Sequence, residues 1–228
     1  MTGASRGIGL EYVRQWLERG ERVFALARDP EGSEGLTALA RRFAATAVPV
    51  ACDVADDRSV EAARREVAGA VDGLDVLVNN AGILGGRKPF DELDMDEIHR
   101  HLEVNALGPL RVARAFLPLL RAGRPVRRLV HMTSLMGSIE DNRSGDAYAY
   151  RMSKAALNMA SRSLAVDLAD EGVVSVALHP GWVRTRMGGP GARLGVEEAV
   201  ASLIATIDRL GPPESGGFFD RDGQPLPW

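Results

Sequence analysis

The chain has 228 residues, half again the ~150 residues of a typical domain, so one domain with a filled core is the expected organisation. With 45% hydrophobic and 26% charged residues disorder is excluded, and no apolar run approaches the ~18 residues of a membrane span. A net charge of -3 with dispersed basic residues argues against nucleic acid as a partner, and a lone cysteine, Cys52, without an N-terminal export signal is expected of a reducing, cytoplasmic setting.

Short runs of Val, Leu and Ala alternate with longer stretches of helical period, the pattern of strand and helix units on a parallel α/β sheet. A glycine turn, Thr2 to Gly9 (TGASRGIG), opens a helix over 7–19 whose Leu10, Val13, Trp16 and Leu17 share one face and which stops before Gly20. A strand over 22–27 follows, then helix 35–44, strand 47–52, helix 57–69 and strand 74–79, which runs into Asn79-Asn80-Ala81-Gly82. The long helical stretch 95–121 contains Asn105. At Gly108-Pro109 it predicts an irregular turn, since proline removes a backbone hydrogen bond and frees a carbonyl. Strand 127–133 meets Ser134, helix 148–171 carries Tyr150 and Lys154, and strand 173–179 leads into His179-Pro180-Gly181-Trp182-Val183-Arg184-Thr185. Helix 196–210 and a short strand over 217–220 close the chain. The loops richest in Gly and Pro, 137–146 and 180–195, both follow strands, where an open parallel sheet binds its ligands.

Glycines let a backbone approach a pyrophosphate closely, and a helix N-terminus supplies unpaired N–H groups and a partial positive charge; for the turn alone, a glycine-rich helix entry without a ligand is the alternative. Tyr150 and Lys154 are four apart on one helix face, and an ammonium beside a phenol lowers its pKa of ~10 by ~1 to 3 units. Tyr148 has no lysine at the fourth position and is expected to line the pocket. Lys88 and Lys154 are the only lysines among 28 basic residues, so position 154 fits a role that needs a compact ammonium. His99 and His101 have no metal-ligand spacing and are expected on a helix surface, His131 and His179 on strands, and Cys52 in the core; no metal site is expected. Met136, Trp182 and Met187 are expected either to wall the substrate or to serve ordinary packing.

The glycine turn, Asn79-Asn80-Ala81-Gly82, Asn105, Ser134, Tyr150-Arg151-Met152-Ser153-Lys154 and the segment 179–185 stand in the order of the short-chain dehydrogenase/reductase family, which the chain resembles over nearly its whole length. LHPGWV and the ending DGQPLPW are most similar to its C-factor-like and sniffer-like carbonyl reductases. The resemblance implies a single-domain Rossmann-type doubly wound parallel sheet over 1–228, and an NADPH-dependent oxidoreductase that interconverts a small-molecule carbonyl and an alcohol by hydride transfer. It implies Tyr150 as general acid/base, Ser134 as hydrogen-bond donor to the substrate carbonyl, and Asn105 as holder of a water that relays protons to Lys154. For the cofactor it implies Gly3, Ser5, Arg6, Gly7, Ile8 and Gly9 along the turn, Asp53 and Val54 at the adenine, and Asn80, Ala81 and Gly82 on the ribose side. Tyr150, Lys154, Pro180, Gly181, Val183 and Thr185 would lie at the nicotinamide. Among dinucleotide enzymes, NAD users commonly place a carboxylate at the end of the second strand and NADP users an arginine for the extra phosphate. Here that strand ends Leu26-Ala27-Arg28, with Arg6 within reach and Asp29 as the opposing feature, so NADP is expected. Family members pair through the long helices, which implies a homodimer or homotetramer. The competing reading is a non-catalytic or truncated nucleotide-binding protein acting in signalling, as the C-factor likeness suggests.

Three departures from the family pattern carry expectations. Met1 stands directly before Thr2-Gly3 where the family has a buried central strand, so either the start lies upstream or the chain is a truncated form of low stability. A strand of about five residues would bury several aliphatic side chains at ~1.5 to 3 kcal/mol each. The spacing from Ser134 to Tyr150 is longer than usual, filled by SIEDNRSGDA, and the substrate lid is reduced to MGGPGARLG, from which an open, permissive site is expected.

Overall fold

The structure, a computed structural model, describes residues 1–228. In chain order the elements are α1 (Gly7–Glu18), β1 (Val23–Ala27), α2 (Glu34–Arg42), β2 (Ala47–Ala51), α3 (Asp57–Ala68), β3 (Val76–Asn79), α4 (Met95–Leu102), a π-helical turn (Glu103–Leu107), α5 (Gly108–Arg121), β4 (Arg127–Met132), α6 (Tyr148–Asp167), β5 (Val173–His179), α7 (Val196–Arg209) and β6 (Phe218–Asp220). The helical stretch predicted over 95–121 is thus interrupted, and the break falls directly before Gly108-Pro109, where the proline removes a donor.

Every strand pairing is parallel. β1 pairs with β2, and a separate sheet runs β3-β4-β5-β6, with Val78 opposite Val130 and Val130 opposite Val176. Alternation of side chains along these strands splits the core in two. Val78, Val130 and Val176 pack with Tyr12, Val13 and Leu17 of α1 and Leu203 and Ile207 of α7. Leu77 and Leu129 face the other way, onto Val60 and Val67 of α3 and Phe116 and Leu120 of α5. Helices on both faces of parallel strands make the doubly wound architecture that the sequence pattern predicts.

Met1 to Ala4 joins the two sheets. The Thr2 amide donates to the Val78 carbonyl at 3.0 Å, while the Leu26 amide donates to the Met1 carbonyl at 2.9 Å and the Ala4 amide to the Leu26 carbonyl at 3.1 Å. Beyond this short bridge β1 and β3 are separated by a cavity of about 520 Å³ lined by Met1, Val23, Phe24, Leu26, Val76 and Val78, among others. The Met1 ammonium donates into it to the Phe24 carbonyl at 3.1 Å, and burial lowers its pKa to about 5. The backbone hydrogen bonds between the two sheets are thus those made through Met1 to Ala4, and the cavity lies between the rest of β1 and β3.

Helix starts show how the chain marks its ligand-facing edge. Asp56 caps α3 by accepting from the Arg58 amide at 2.8 Å, and Asp94 caps α4 by accepting from the Asp96 amide at 2.9 Å. α1 has neither a side-chain cap nor an acidic residue in its first turn, which leaves its N–H groups and positive dipole end open.

His131 lies fully buried on β4, with its Nδ1 3.4 Å from the Asn79 amide nitrogen. Burial, helped by the nearby Lys154 charge, lowers its pKa from 6.5 to about 3. His179 at the end of β5 is lowered to about 4, chiefly by burial. A histidine held neutral in the folded state binds its proton on unfolding, so its stabilisation is complete above pH 6.5 and is lost as pH falls toward 3, at about 1.4 kcal/mol per pH unit for each proton taken up. Denaturant unfolding followed between pH 6.5 and 5 is expected to show stability falling with acid, and His131→Asn to reduce that slope by about one proton; an unchanged slope would show that His131 already titrates in the fold.

Candidate active site

The glycine turn sits at the junction of the two sheets. A Cβ on Gly9 would lie 2.2 Å from the Gly3 carbonyl oxygen and 2.6 Å from the Asn80 amide nitrogen, so only glycine lets α1 start this close to the turn. Thr2 Oγ1 accepts from the Asn80 and Ala81 amides at 3.0 and 3.1 Å, and the Asn80 side chain donates back to the Thr2 and Gly3 carbonyls at 3.0 and 3.3 Å. Asn80, expected on the ribose side, thus spends its amide nitrogen on holding the glycine turn to the end of β3. Ile8 packs on the core, and the Ser5 carbonyl accepts from the Ser33 hydroxyl at 2.8 Å. Gly7 faces the Thr185 methyl group, 3.5 Å from where its Cβ would be.

Arg6 is the N-cap residue of α1, within electrostatic reach of Arg28 and Arg186. Burial lowers the Arg6 pKa first, and the charges of Arg186 and Arg28 lower it further, which places the three cations in one field. None of them is among the ion pairs of the protein, and the Asp29 carboxylate is turned to the Gly32 amide at 2.9 Å instead of Arg28. An uncapped helix start with an unneutralised guanidinium at its N-cap has the chemistry to hold an anion. Arg186 was not legible in the sequence: it follows Thr185 in a loop, and nothing in its spacing relates it to Arg6.

Asp53 follows β2, its carboxylate accepting from the Ala55 amide at 3.0 Å, and Val54 is buried against Gly108. In the segment after β5, Val183 pairs with Leu194, the Arg184 amide donates to the Leu194 carbonyl at 2.8 Å, and the Trp182 indole donates to the Gly188 carbonyl at 2.8 Å. Pro180, Gly181 and Thr185 therefore stand on a short loop tied back on itself, with Trp182 and Met187 exposed on it.

Lys154 is buried and donates to the Met132 carbonyl at 2.9 Å. A Cβ on Gly137 would come within 2.8 Å of the Lys154 backbone, so the residue after Met136 must be glycine for α6 to close on the Ser134 turn. Gly82 stands on the other side, its Cβ position 3.7 Å from Lys154 Nζ and 3.2 Å from Asn105 Oδ1. Asn105, in the π turn and fully buried, accepts from the Ile83 amide at 2.8 Å and donates to the Ile83 carbonyl at 3.0 Å and to Ser153 Oγ at 2.9 Å. It ties the Asn-Asn-Ala-Gly segment to α6, a link through Ser153 that the sequence did not suggest.

Ser134 Oγ accepts from the Met136 amide at 3.1 Å, which leaves its proton available to a further acceptor, and its hydroxyl is near enough to Tyr150 to influence the phenol. Lys154 Nζ lies 5.7 Å from the centre of the Tyr150 ring. The expected lowering of the phenol by Lys154 is not what dominates here. Burial raises the Tyr150 pKa, the nearby Ser134 hydroxyl opposes it, and burial lowers Lys154 itself to about 8.

Tyr148 is on the rim, its ring 5.9 Å from that of exposed Phe90. His99 is exposed, but His101 corrects the expectation of a surface residue: it is buried on the inner face of α4, its Nδ1 2.7 Å from the Glu97 carbonyl and its ring beside Gly85. Directly before α6, Asp146 and Ala147 follow Gly145 in the left-handed region at φ 65° and 48°, a conformation that costs a non-glycine residue about 1 to 3 kcal/mol.

Comparison with known proteins agrees with this geometry. The model of the short chain dehydrogenase family matches residues 1–192. The C-signal protein of Myxococcus xanthus is 53% identical over 155 residues, covering 68% of this chain and 93% of its own. Among solved structures, the carbonyl reductase Sniffer of D. melanogaster is similar with a TM-score of 0.96 at 35% identity, and the NADPH-bound carbonyl reductase from chicken fatty liver with a TM-score of 0.93 at 34% identity; each covers 100% of this chain and 97% of its own. The chain belongs to the short-chain dehydrogenase family.

Proposed function

We propose that the protein is an NADPH-dependent carbonyl reductase, in which Tyr150 is the general acid/base and Ser134, Lys154 and Asn105 complete the catalytic set. The observation that carries this reading is the meeting of Ser134, Tyr150 and buried Lys154 at the edge of β4, together with an uncapped α1 start whose Arg6 is within electrostatic reach of Arg28 and Arg186. One similar solved structure is a carbonyl reductase with NADPH bound. Gly3, Ser5, Arg6, Gly7, Ile8 and Gly9 cradle the pyrophosphate, Arg6 and Arg28 take the extra phosphate, and Asp53 and Val54 receive the adenine. Ala81, Gly82, Pro180, Gly181, Val183 and Thr185 line the path toward the nicotinamide, with Asn80 holding the turn.

Bound NADPH supplies the hydride to the carbonyl carbon. The free Ser134 proton polarises the substrate oxygen, and Tyr150 delivers a proton to that oxygen as charge develops on it. Lys154, anchored on the Met132 carbonyl, keeps an ammonium beneath the phenol, and re-supply of the proton runs through it by way of a water at the π turn of Asn105. Proton transfer of this kind is worth roughly 10² to 10⁴-fold in rate. A scaffold acting only in signalling has no need for a buried lysine beside a serine and tyrosine at one sheet edge, since burial of an ammonium with one carbonyl partner costs stability. The short loop after Thr185 leaves the substrate side open, which favours varied small carbonyl compounds.

On α6 the exposed Met152, Met159 and Val166 recur every seventh residue along a 20-residue helix, an apolar seam suited to a second copy of this chain. No helix is long and apolar enough to cross a membrane, and buried, unpaired Cys52 fits a reducing cytoplasmic setting.

Three measurements test these statements. Tyr150→Phe is expected to abolish NADPH-dependent reduction across a carbonyl panel while NADPH binding by calorimetry persists; retained turnover would remove Tyr150 as the acid. Thermal unfolding is expected to shift further with NADPH than with NADH at equal concentration, and Arg28→Ala to narrow that difference; equal shifts for the wild type would reject the NADP preference. Met159→Glu is expected to convert a sedimenting dimer or tetramer to monomer, and a wild-type chain that already sediments as monomer would reject the seam.

A further inference from the structure

The segment between Ser134 and Tyr150 is long, and it passes through the left-handed run Gly145, Asp146 and Ala147 immediately before the helix that carries Tyr150. α6 begins without a side-chain cap, its N-cap position being Ala147. The first turn, which holds Tyr148 and Tyr150, therefore lacks the usual local anchor. Asp146 gives only partial help, its carboxylate accepting from the Ala147 amide and pairing with Arg87 at 3.5 Å.

One side chain does reach both arms of this segment. The Arg151 Nε donates to the Gly145 carbonyl at 2.9 Å and to the Asp146 carbonyl at 3.1 Å, one terminal nitrogen donates to Ser144 Oγ at 2.9 Å, and the other to the Met136 carbonyl at 3.3 Å. Met136 is the residue whose amide donates to Ser134 Oγ, and Arg151 follows Tyr150 directly. Ser134 and Tyr150 are thus joined through a single guanidinium. The planar fork of arginine serves several acceptors in fixed directions at once, which an ammonium on a flexible stem does not. A second tie holds the front of the segment: the Trp228 carbonyl accepts from Ser138 Oγ at 3.0 Å and from the Glu140 amide at 2.8 Å. That tie is remote from the left-handed run; Lys154 and Asn158 also reach from α6 to the Met132 and Gly137 carbonyls, but of the three only Arg151 also holds residues 144–146.

We infer that Arg151 is a positioning residue for the reaction: by bridging the Met136 carbonyl to Ser144, Gly145 and Asp146, it fixes the separation of Ser134 and Tyr150 and holds the uncapped first turn of α6 in its working place. This rests on the assignment of Ser134 and Tyr150 as the catalytic pair. All four side-chain hydrogen bonds of Arg151 go to this loop and not to the residues assigned to the cofactor, so its loss acts on the chemical step and not on NADPH binding.

Arg151→Ala is expected to lower kcat by about ten-fold or more, because displacement of reacting groups by an ångström costs up to ~10²-fold, while NADPH affinity stays at the wild-type value. Arg151→Lys is expected to recover part of the loss, and Ser144→Ala to lose less than either, and both serve if the alanine variant fails to fold. Hydrogen exchange across 138–150 is expected to quicken in Arg151→Ala with the strands unchanged. Wild-type kcat in Arg151→Ala, or a fall in NADPH affinity in step with kcat, would overturn the inference. A wild-type chain that reduces no carbonyl would instead overturn the functional reading, and unchanged exchange across 138–150 would then overturn the clamp on its own.

Discussion

The hydrogen bond from Lys154 to the Met132 carbonyl is the constraint around which the active edge of the protein is arranged. A buried ammonium has three donors and a large desolvation cost, and burial alone brings this one down to about 8. Its surroundings have been cleared for it. Gly137 and Gly82 let α6 and the end of β3 close in, and His131, the nearest buried titratable group on β4, is held neutral so that a second positive charge does not compete. Placed there, the lysine joins the last carbonyl of β4 to the helix that carries Tyr150, and Ser134 sits two residues beyond that carbonyl. The geometry of the catalytic set is therefore a property of one strand end and one helix start.

Much of this was legible in the sequence because the elements obey local rules. Alternating aliphatic runs marked all six strands to within two residues, and Gly108-Pro109 marked the break in the long helix at the place where a π turn is found. The family resemblance brought Ser134, Tyr150 and Lys154 together, and the structure brings them together too. What stayed hidden depends on contacts distant in sequence. Arg186 comes within electrostatic reach of Arg6 because the loop after β5 packs Thr185 against Gly7, and the burial of His101 depends on the path of the loop through Gly85. Arg151 stands at a variable position of Tyr-x-x-x-Lys, so no spacing rule sets it apart from Met152, which faces solvent. The expected effect of Lys154 on the phenol also failed as a simple pair argument, because spacing four apart on a helix says nothing of how deeply the pair is buried.

The slot between β1 and β3 gives the glycine turn a second role. Residues from the smaller sheet, Arg28 and Asp53, and residues from the larger, Asn105, Ser134, Tyr150, Lys154 and Thr185, lie on opposite sides of a junction made by Met1 to Ala4. Only a handful of backbone hydrogen bonds cross it, and Thr2, through its amide and its hydroxyl, provides those to β3 and to Asn80-Ala81. The packing of α1 and α7 over one face and of α3 and α5 over the other carries the rest of the connection.

A dinucleotide long enough to run from Asp53 to Thr185 would touch both sheets at once. Any ligand that binds only the assembled pair stabilises it by mass action, and here the increment falls on the junction itself and not on a core already closed by the β3-β4-β5-β6 sheet. The two halves also differ in what holds them: β4 and β5 are paired along their length and buried on both faces, whereas β1 has an open edge along the slot. The proposed catalytic residues thus follow strands of the four-stranded sheet and Arg28 and Asp53 follow strands of the two-stranded one, so a dinucleotide that spans them would be held by side chains placed by both.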